Sequence, residues 1–429
     1  MSNSRLTFQN IKFEIGDCPE SQQAVNLFSG QVIFENCVFE CFVNTAFYIY
    51  PSKSEEKKTD IEFSGCLLEG LGSCQRFFSI EDGYNLSLEF DTCYMNEAYC
   101  VLTVPSNSYN WKDIFISVRN CSVNDVQDGL KVICDKKSAI SMQVIGCDFD
   151  MCLYSEEEPS IAVQCDNSSK LSIKDCNVKF CHAQGTGISA NNVKELILSS
   201  CYVYTDKEVE KKLSTTTCVF VQSVDTTVFD NCNFSDARIG TCCFGCNNVT
   251  VSNSNFKDSS VGIYMPKQSC ISNLKVDKTN FDICFNGVLC EGVCDQFQLC
   301  ECQFVDILNP VLIHKDMNVV IDSCQTKESE EFLALKNSNP SEVNQDISEL
   351  LGSNDYEQDF SSAPVLHIDE ENKHKDKSND TNGEHSDNYE ADSNDRNSTD
   401  DMKVYLAVKK QLPYQVAVEN RDLLKNITL

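Results

Sequence analysis

Phe34-Glu-Asn-Cys37-Val-Phe39 and Phe229-Asp-Asn-Cys232-Asn-Phe234 are one six-residue unit, apolar-x-x-Cys-x-apolar, found at two distant places in the chain. Val144-Ile-Gly-Cys147-Asp-Phe149 is a third copy, and others centre on Cys66, Cys93, Cys121, Cys176, Cys201, Cys302 and Cys324. Three more keep the apolar flanks and place Ile11, Ser254 or Thr279 at the centre. The thirteen copies follow one another at steps of 22 to 31 residues. Self-similarity at that period marks a solenoid, with one supersecondary unit per step.

Each step holds more than the motif. A second β-branched or aromatic run follows about ten residues later, as at 47–50 (Phe-Tyr-Ile-Tyr), 100–104, 129–133, 219–221, 262–264 and 311–313. A third run leads into the next motif, as 194–198 does into Cys201 and 248–251 into Ser254. Three short strands per step, with no amphipathic stretch of helical length between them, predict an all-β fold. The expected architecture is a right-handed parallel β-helix of about thirteen coils. A leucine-rich repeat has a similar period, and Leu196-Ile-Leu-Ser-Ser-Cys201 partly mimics it. It would need a helix or equivalent connector after each strand, where this chain has further strand-like residues.

On units such as Ile173-Lys-Asp-Cys176-Asn-Val178, the region from about residue 5 to 336 resembles the pectin-lyase-like right-handed parallel β-helix superfamily. The likeness is to its intracellular, cysteine-bearing members and not to the secreted polysaccharide enzymes. One intracellular branch, the Shc SH2-binding and nessun dorma type of spindle and midbody protein, is similar in having a β-helix interrupted by an acidic segment.

Cysteine suits an inward row. Equivalent positions on successive parallel strands lie about 4.8 Å apart, so a residue repeated once per coil forms a ladder along the axis. A thiol is small and apolar enough to fill a corner beside larger Phe and Val rungs, and serine and threonine have similar volume. Asn36, Asn120, Asn231 and Asn253, which precede ladder residues, are expected in turns or in stacked amide rows. The odd count of 27 cysteines, the 41% hydrophobic content and the absence of a basic-then-apolar leader favour reduced thiols over a disulfide framework. The expected location is cytoplasmic, and the Asn-x-Ser/Thr triplets then carry no sugar.

After residue 336 the composition shifts to Ser, Asn, Asp and Glu. Residues 337–401 carry a net charge of −14 and are expected to be a disordered acidic insertion. The apolar Pro364-Val-Leu-His-Ile368 inside it is read as incidental rather than as a docking motif. Strand character returns within 402–429, where Leu424-Lys-Asn-Ile427-Thr-Leu429 repeats the spacing of Phe8-Gln-Asn-Ile11-Lys-Phe13. This segment is expected to be a short β region, a resumed coil of the same solenoid. Neither end of the solenoid carries a recognisable cap, so the expectation is a longer protein or ends covered by partners.

The search for chemistry nominates no catalytic, cofactor or metal residue. Polysaccharide lyases on this fold need carboxylate-held Ca²⁺ with a basic residue, and hydrolases need paired carboxylates. Their signatures (Asn-Thr-Asp, Gly-His-Gly, Arg-Ile-Lys) are missing, and the six arginines are scattered. Asp175, Asp230 and Asp322 recur beside the ladder and read as solvated turn residues. Cys181 and His182 are adjacent, so on a strand they point to opposite faces. Cys243-x-x-Cys246 and Cys290-x-x-x-Cys294 have zinc-like spacing but belong to different coils, and the other members of the dense series (Cys242, Cys284, Cys300, Cys302) are expected on ladder positions. A net charge of −30 opposes nucleic acid as a partner, and no apolar run is long enough for a membrane helix. The function expected is a non-enzymatic scaffold offering a long face to a protein or glycan, with a carbohydrate-active enzyme as the alternative.

Overall fold

The computed structural model describes residues 5–15, 25–28, 30–41, 44–70, 74–81, 83–104, 112–134, 138–151, 160–180, 185–205, 216–313 and 319–329. Among them there is no helix, and three sheets account for all the named strands. Sheet A runs from Arg5–Gln9 to Val319–Asp322 and sheet B from Lys12–Ile15 to Gln325–Lys327, with thirteen strands each. Sheet C runs from Val25–Leu27 to Asn309–Ile313 with twelve. Each strand pairs in parallel with the third strand along the chain, so the backbone winds A, B, C and repeats. This is the parallel β-solenoid that the thirteen motifs predict, and among the described residues there is no helix of the kind a leucine-rich repeat requires. Residues 330–336 of the expected solenoid, the acidic insertion at 337–401 with its 364–368 patch, and segment 402–429 lie outside the described residues.

The motif straddles a corner. In every coil the residue before the ladder position has a left-handed backbone, with φ between 48° and 63°. It is Asn at 10, 36, 120, 231 and 253, Gly at 65 and 146, and Thr92, Asp175, Ser200, Lys278, Glu301 or Ser323 elsewhere. One such residue turns the chain from sheet A into sheet B, and asparagine and glycine are the residues that adopt this conformation at least cost. The corner interrupts no ladder of backbone bonds. Asn36 N–H donates to Ser64 O at 2.8 Å, and Leu67 N–H donates to Cys37 O at 2.9 Å, with equivalents on each coil. Thr92 is the strained exception, since a β-branched residue at φ 56° is disfavoured. Thr92→Asn is expected to stabilise the protein by about 1 kcal/mol, read as a rise in thermal midpoint.

Packing follows from the alternation of in and out along each strand. Toward the N-terminus, Phe8, Phe34, Phe63 and Phe90 stack along sheet A with ring centroids 5.0, 4.8 and 5.3 Å apart. Toward the C-terminus a second column stacks along sheet B: Phe234, Phe256, Phe281 and Phe304, at 5.0, 5.1 and 5.0 Å. The column matches the coil spacing, so each ring meets its own kind above and below. Thirteen coils make a solenoid roughly 60 Å long.

The remaining corners differ in tolerance. From sheet B to sheet C the strands are separated by as few as three residues (Cys41 to Thr45) and as many as eleven (Thr205 to Thr217). From sheet C to sheet A the separation also varies, from two residues (Cys290 to Val293) to nine (Ile49 to Thr59), while the corner from A to B keeps one form throughout.

Candidate functional site

The ladder is core. Cys37, Cys66, Cys93, Cys121, Cys147, Cys176, Cys201 and Cys232 occupy equivalent, buried corner positions, followed by Ser254, Thr279 and Cys302. No disulfide joins any of the 24 cysteines among the described residues, and only Cys270, Cys300 and Cys324 are not fully buried. The thiols do more than fill space. Cys93 N–H donates to Cys121 Sγ and Cys147 N–H to Cys176 Sγ, both at 3.4 Å, and Cys232 N–H donates to Ser254 Oγ at 3.1 Å. The thiols in turn reach carbonyls of the preceding coil, as Cys66 Sγ does Phe34 O at 3.4 Å and Cys93 Sγ does Phe63 O at 3.3 Å. At these three corners a buried N–H is thus satisfied by a side-chain heteroatom one coil on, a role that Cys and Ser both fill.

A substitution pair checks this. Cys121→Ala would strand the Cys93 N–H and is expected to cost about 1–3 kcal/mol, whereas Cys121→Ser keeps an acceptor and should cost less. Packing by volume and hydrophobicity alone would rank alanine as the milder change, so urea unfolding of the two variants separates the accounts.

Reactive thiols are not what burial makes here. It pushes Cys100, Cys165 and Cys284 up to about 12. Along the ladder the hydrogen bond to a neighbouring thiol, then burial, raises Cys37, Cys121, Cys176 and Cys232. Their partners Cys66, Cys147 and Cys201 are drawn down by the same bonds. A thiolate would sit among buried apolar side chains, so the upward direction governs the row.

The group that sequence reasoning missed lies on the outer face of sheet C. Several positions that alternate outward there are buried: Ser79, Gln164, Cys242 and Tyr264 are each no more than 6% exposed, while Thr103, Lys131 and Phe220 between them are half-buried. Among them sit two carboxylates. Asp128 is bound by Lys131 at 2.9 Å, and its carboxyl is raised by burial against the pull of that lysine. On the next coil Gln164 is in register with Lys131 and donates from Nε2 to Asp166 Oδ2 at 2.9 Å. Burial pushes Asp166 up to about 6, with the Gln164 bond and Lys131 acting the other way. Asp166 Oδ1 and Gln164 Oε1 are buried with no hydrogen-bond partner among the described residues. Asp128-Gly-Leu-Lys131 reads in sequence as an ordinary strand with solvated charges, and only the covering of the sheet's outer face makes those charges unusual.

Asp166 has a measurable consequence. Its folded pKa lies above the ordinary 3.8, so the folded state holds the proton longer than the unfolded chain does. Stability therefore falls as pH rises from about 4 to 6, and the full penalty remains above that window. Asp166→Asn is expected to stabilise the protein at pH 7 by about 1–3 kcal/mol and to match wild type near pH 4. Thermal unfolding across pH reads both.

The carboxylates foreseen beside the ladder do not converge. Asp175 is itself a left-handed corner residue, with φ 52°. Asp230 accepts from Asn253 Nδ2 at 2.8 Å and Ser252 Oγ at 2.7 Å, bonds that hold its carboxyl below the usual range. Asp322 accepts from Ser323 Oγ at 3.0 Å. They stand at the corner from A to B on coils two and four apart, roughly 10 and 19 Å. Cys181 and His182 lie outside the described residues. The cysteine-rich stretch needs a correction: Cys302 holds a ladder position, but Cys284 lines the inner side of the corner from B to C, Cys300 points outward from sheet A, and Cys242 outward from sheet C. Sequence spacing alone could not tell three corners apart. Among the described residues no group of three or more His, Cys, Asp or Glu side chains could hold a metal ion.

Sheet B carries a different surface. Its outward column passes in register through Tyr94, Ser122, Asp148, Asn177, Tyr202 and Asn233. Tyr202 and Tyr204 stack 4.4 Å apart, Tyr202 is 40% exposed, and its hydroxyl lies 3.1 Å from Ser235 Oγ. Neither a family model nor a curated protein matches this chain.

Proposed function

We propose that the chain is a non-enzymatic binding scaffold that presents the outer face of sheet B to a protein partner, with a glycan as the alternative ligand of the same face. The single observation that carries this reading is the register of the sheet: outward side chains recur every coil, about 4.8 Å apart, over a face roughly 60 Å long. Amides and exposed tyrosines on that face suit recognition, because a tyrosine contributes an apolar ring and a polar tip at low entropic cost. The superfamily reading, a cytoplasmic member of the pectin-lyase-like right-handed β-helix proteins, belongs to this proposal. Its support is the parallel solenoid and the many buried cysteines, none of them in a disulfide among the described residues. A right-handed wind is expected from the general hand of parallel crossovers. No cofactor enters the proposal.

The acidic pair on sheet C favours a second reading, a carbohydrate-active enzyme, since raised carboxylates often mark acid–base sites. Geometry weighs against it. Asp128 pairs in register with Ile161, five residues before Asp166, which separates the two backbones by roughly 16 Å, and Lys131 already neutralises Asp128. Glycosidase carboxyls stand about 5–10 Å apart.

The test is to apply reduced protein to an oligosaccharide array and to assay the same wells for cleavage, with boiled protein as control. Silence in both channels is the result expected for a protein-binding scaffold. Binding without cleavage would make the rod lectin-like, and cleavage abolished by Asp166→Asn would replace the scaffold reading with the enzymatic one.

A further inference from the structure

The C-terminal end of the solenoid exposes what the interior coils bury. Ile321 continues the inward column of Leu299 yet is 57% exposed, and Ile313 continues that of Cys290 yet is 38% exposed. Val320, Leu312 and Val293 add exposed apolar surface at 53, 41 and 52%, and Leu312, Val293 and Ile313 line an open hollow of about 440 Å³ together with Lys267 and Glu291. The outer edges of Asn309–Ile313, Val319–Asp322 and Gln325–Lys327 have no further strand paired to them among the described residues. Such an edge is an invitation to pair.

We propose that residues 412–429 of this same chain dock on that end as a further coil, strand on strand, one in each sheet. The inference is independent of which ligand the scaffold binds. Its first support is spacing. From the last inward residue of a sheet C strand to the last inward residue of the following sheet A strand is eight residues at five of the twelve corners (Cys165 to Ile173, Ala190 to Leu198, Val221 to Phe229, Cys243 to Val251 and Ile313 to Ile321), the terminal one included, and seven to fourteen at the others. Val416 to Leu424 is also eight.

That alignment then fixes the rest. Tyr414 and Val416 fall beside Val311 and Ile313, and Leu424 falls beside Ile321. Asn426 takes the place of Ser323, the left-handed corner position that Asn already holds at 10, 36, 120, 231 and 253. Ile427 continues the ladder past Cys324, as Ile11 begins it. Lys425 comes to lie beside Asp322, an opposite-charge neighbour across adjacent strands. Asp422 falls at the register of Val319, and an inward charge on the terminal coil blunts the new edge against further pairing.

A second support comes from topology. On this alignment the stretch after Ser329 leaves the solenoid between a sheet B strand and a sheet C strand. That is the corner where the fold already places its longest excursion, the eleven residues between Thr205 and Thr217. The long acidic segment would occupy a corner that tolerates insertion, and the coil count would rise by one.

Hydrogen exchange on the full chain tests the proposal, comparing wild type with a Leu424→Asp, Ile427→Asp double variant. Amides of 412–429, Val319–Asp322 and Gln325–Lys327 are expected to exchange at least about tenfold slower in wild type, while strands from Gln31 to Asp277 stay equally protected in both, which excludes general misfolding. Wild-type exchange of 412–429 at the rate of an unstructured peptide would overturn the proposal, as would a double variant that leaves Val319–Lys327 unchanged. Protection that vanishes on dilution to a monomer would overturn it too, by assigning the cover to a second copy.

Discussion

Phe63→Ala is expected to cost about 3–5 kcal/mol, the range for truncating a large buried aromatic. Phe63 is fully buried and stacks between Phe34 at 4.8 Å and Phe90 at 5.3 Å. Phe47 and Phe78, inward residues of sheet C, approach it edge-on at 5.3 and 5.1 Å. Removing the ring empties the junction of two columns, and the flanking backbones, tied above and below by sheet bonds, cannot collapse into the gap. A solenoid is stabilised coil by coil, so the loss should be greatest nearby. Hydrogen exchange should show faster opening of strands from Gln31–Glu35 to Tyr84–Asp91 with little change beyond Asn233. Phe63→Leu should recover most of the loss. A penalty below about 1.5 kcal/mol would mean that the N-terminal aromatic core is not packed as described.

Gly262→Val should be at least as damaging locally, by overpacking in place of a cavity. A Cβ at Gly262 would lie 2.6 Å from the carbonyl oxygen of Gly287 on the next coil and 2.7 Å from Cδ1 of Phe281. Gly240 and Gly287 have the same surroundings, facing Phe256 and Phe304 respectively. The glycine column of sheet C thus exists to admit the phenylalanine column of sheet B. Neither neighbour can yield, because one is sheet backbone and the other is a ring held in a stack. The expected cost is about 3 kcal/mol or more, at the upper end for forced repacking. Phe281→Leu should partly rescue Gly262→Ala, since the two positions contend for one space, and a double-mutant cycle by thermal unfolding measures that coupling. Independent, additive effects would contradict the packing.

Much of this was legible in the chain itself. Thirteen motifs gave the coil count, and the β-branched runs between them gave three strands per coil. The left-handed corner was half visible: asparagine before Cys37, Cys121, Cys232 and Ser254 signals a turn, but Lys278 and Glu301 do the same work with no local signature. The hydrogen-bonding role of the ladder was hidden, because it depends on an orphaned N–H that only the corner creates. Cys284 and Cys300 were misplaced for a related reason: a fold with three inner corners and three outer faces offers many sites for a cysteine, and spacing within one strand does not say which. The Asp128, Lys131 and Asp166 cluster was invisible because its meaning comes from the covering of the sheet's outer face, a tertiary property.

The cluster and the sheet B face make different demands, and that difference lets the central claim be tested. A scaffold that binds through sheet B should lose its partner when Tyr202 and Tyr204 are replaced and should keep it when Asp166 is. The direct measurement is affinity capture from the source cell with three baits in parallel: wild type, Tyr202→Ser with Tyr204→Ser, and Asp166→Asn, each shown by thermal unfolding to be folded. The account predicts a partner retained by wild type and Asp166→Asn at equal yield and lost by at least about tenfold from the tyrosine variant, as expected when central aromatic anchors are removed. Equal capture by the tyrosine variant, with loss confined to Asp166→Asn, would contradict it and move the functional surface to sheet C.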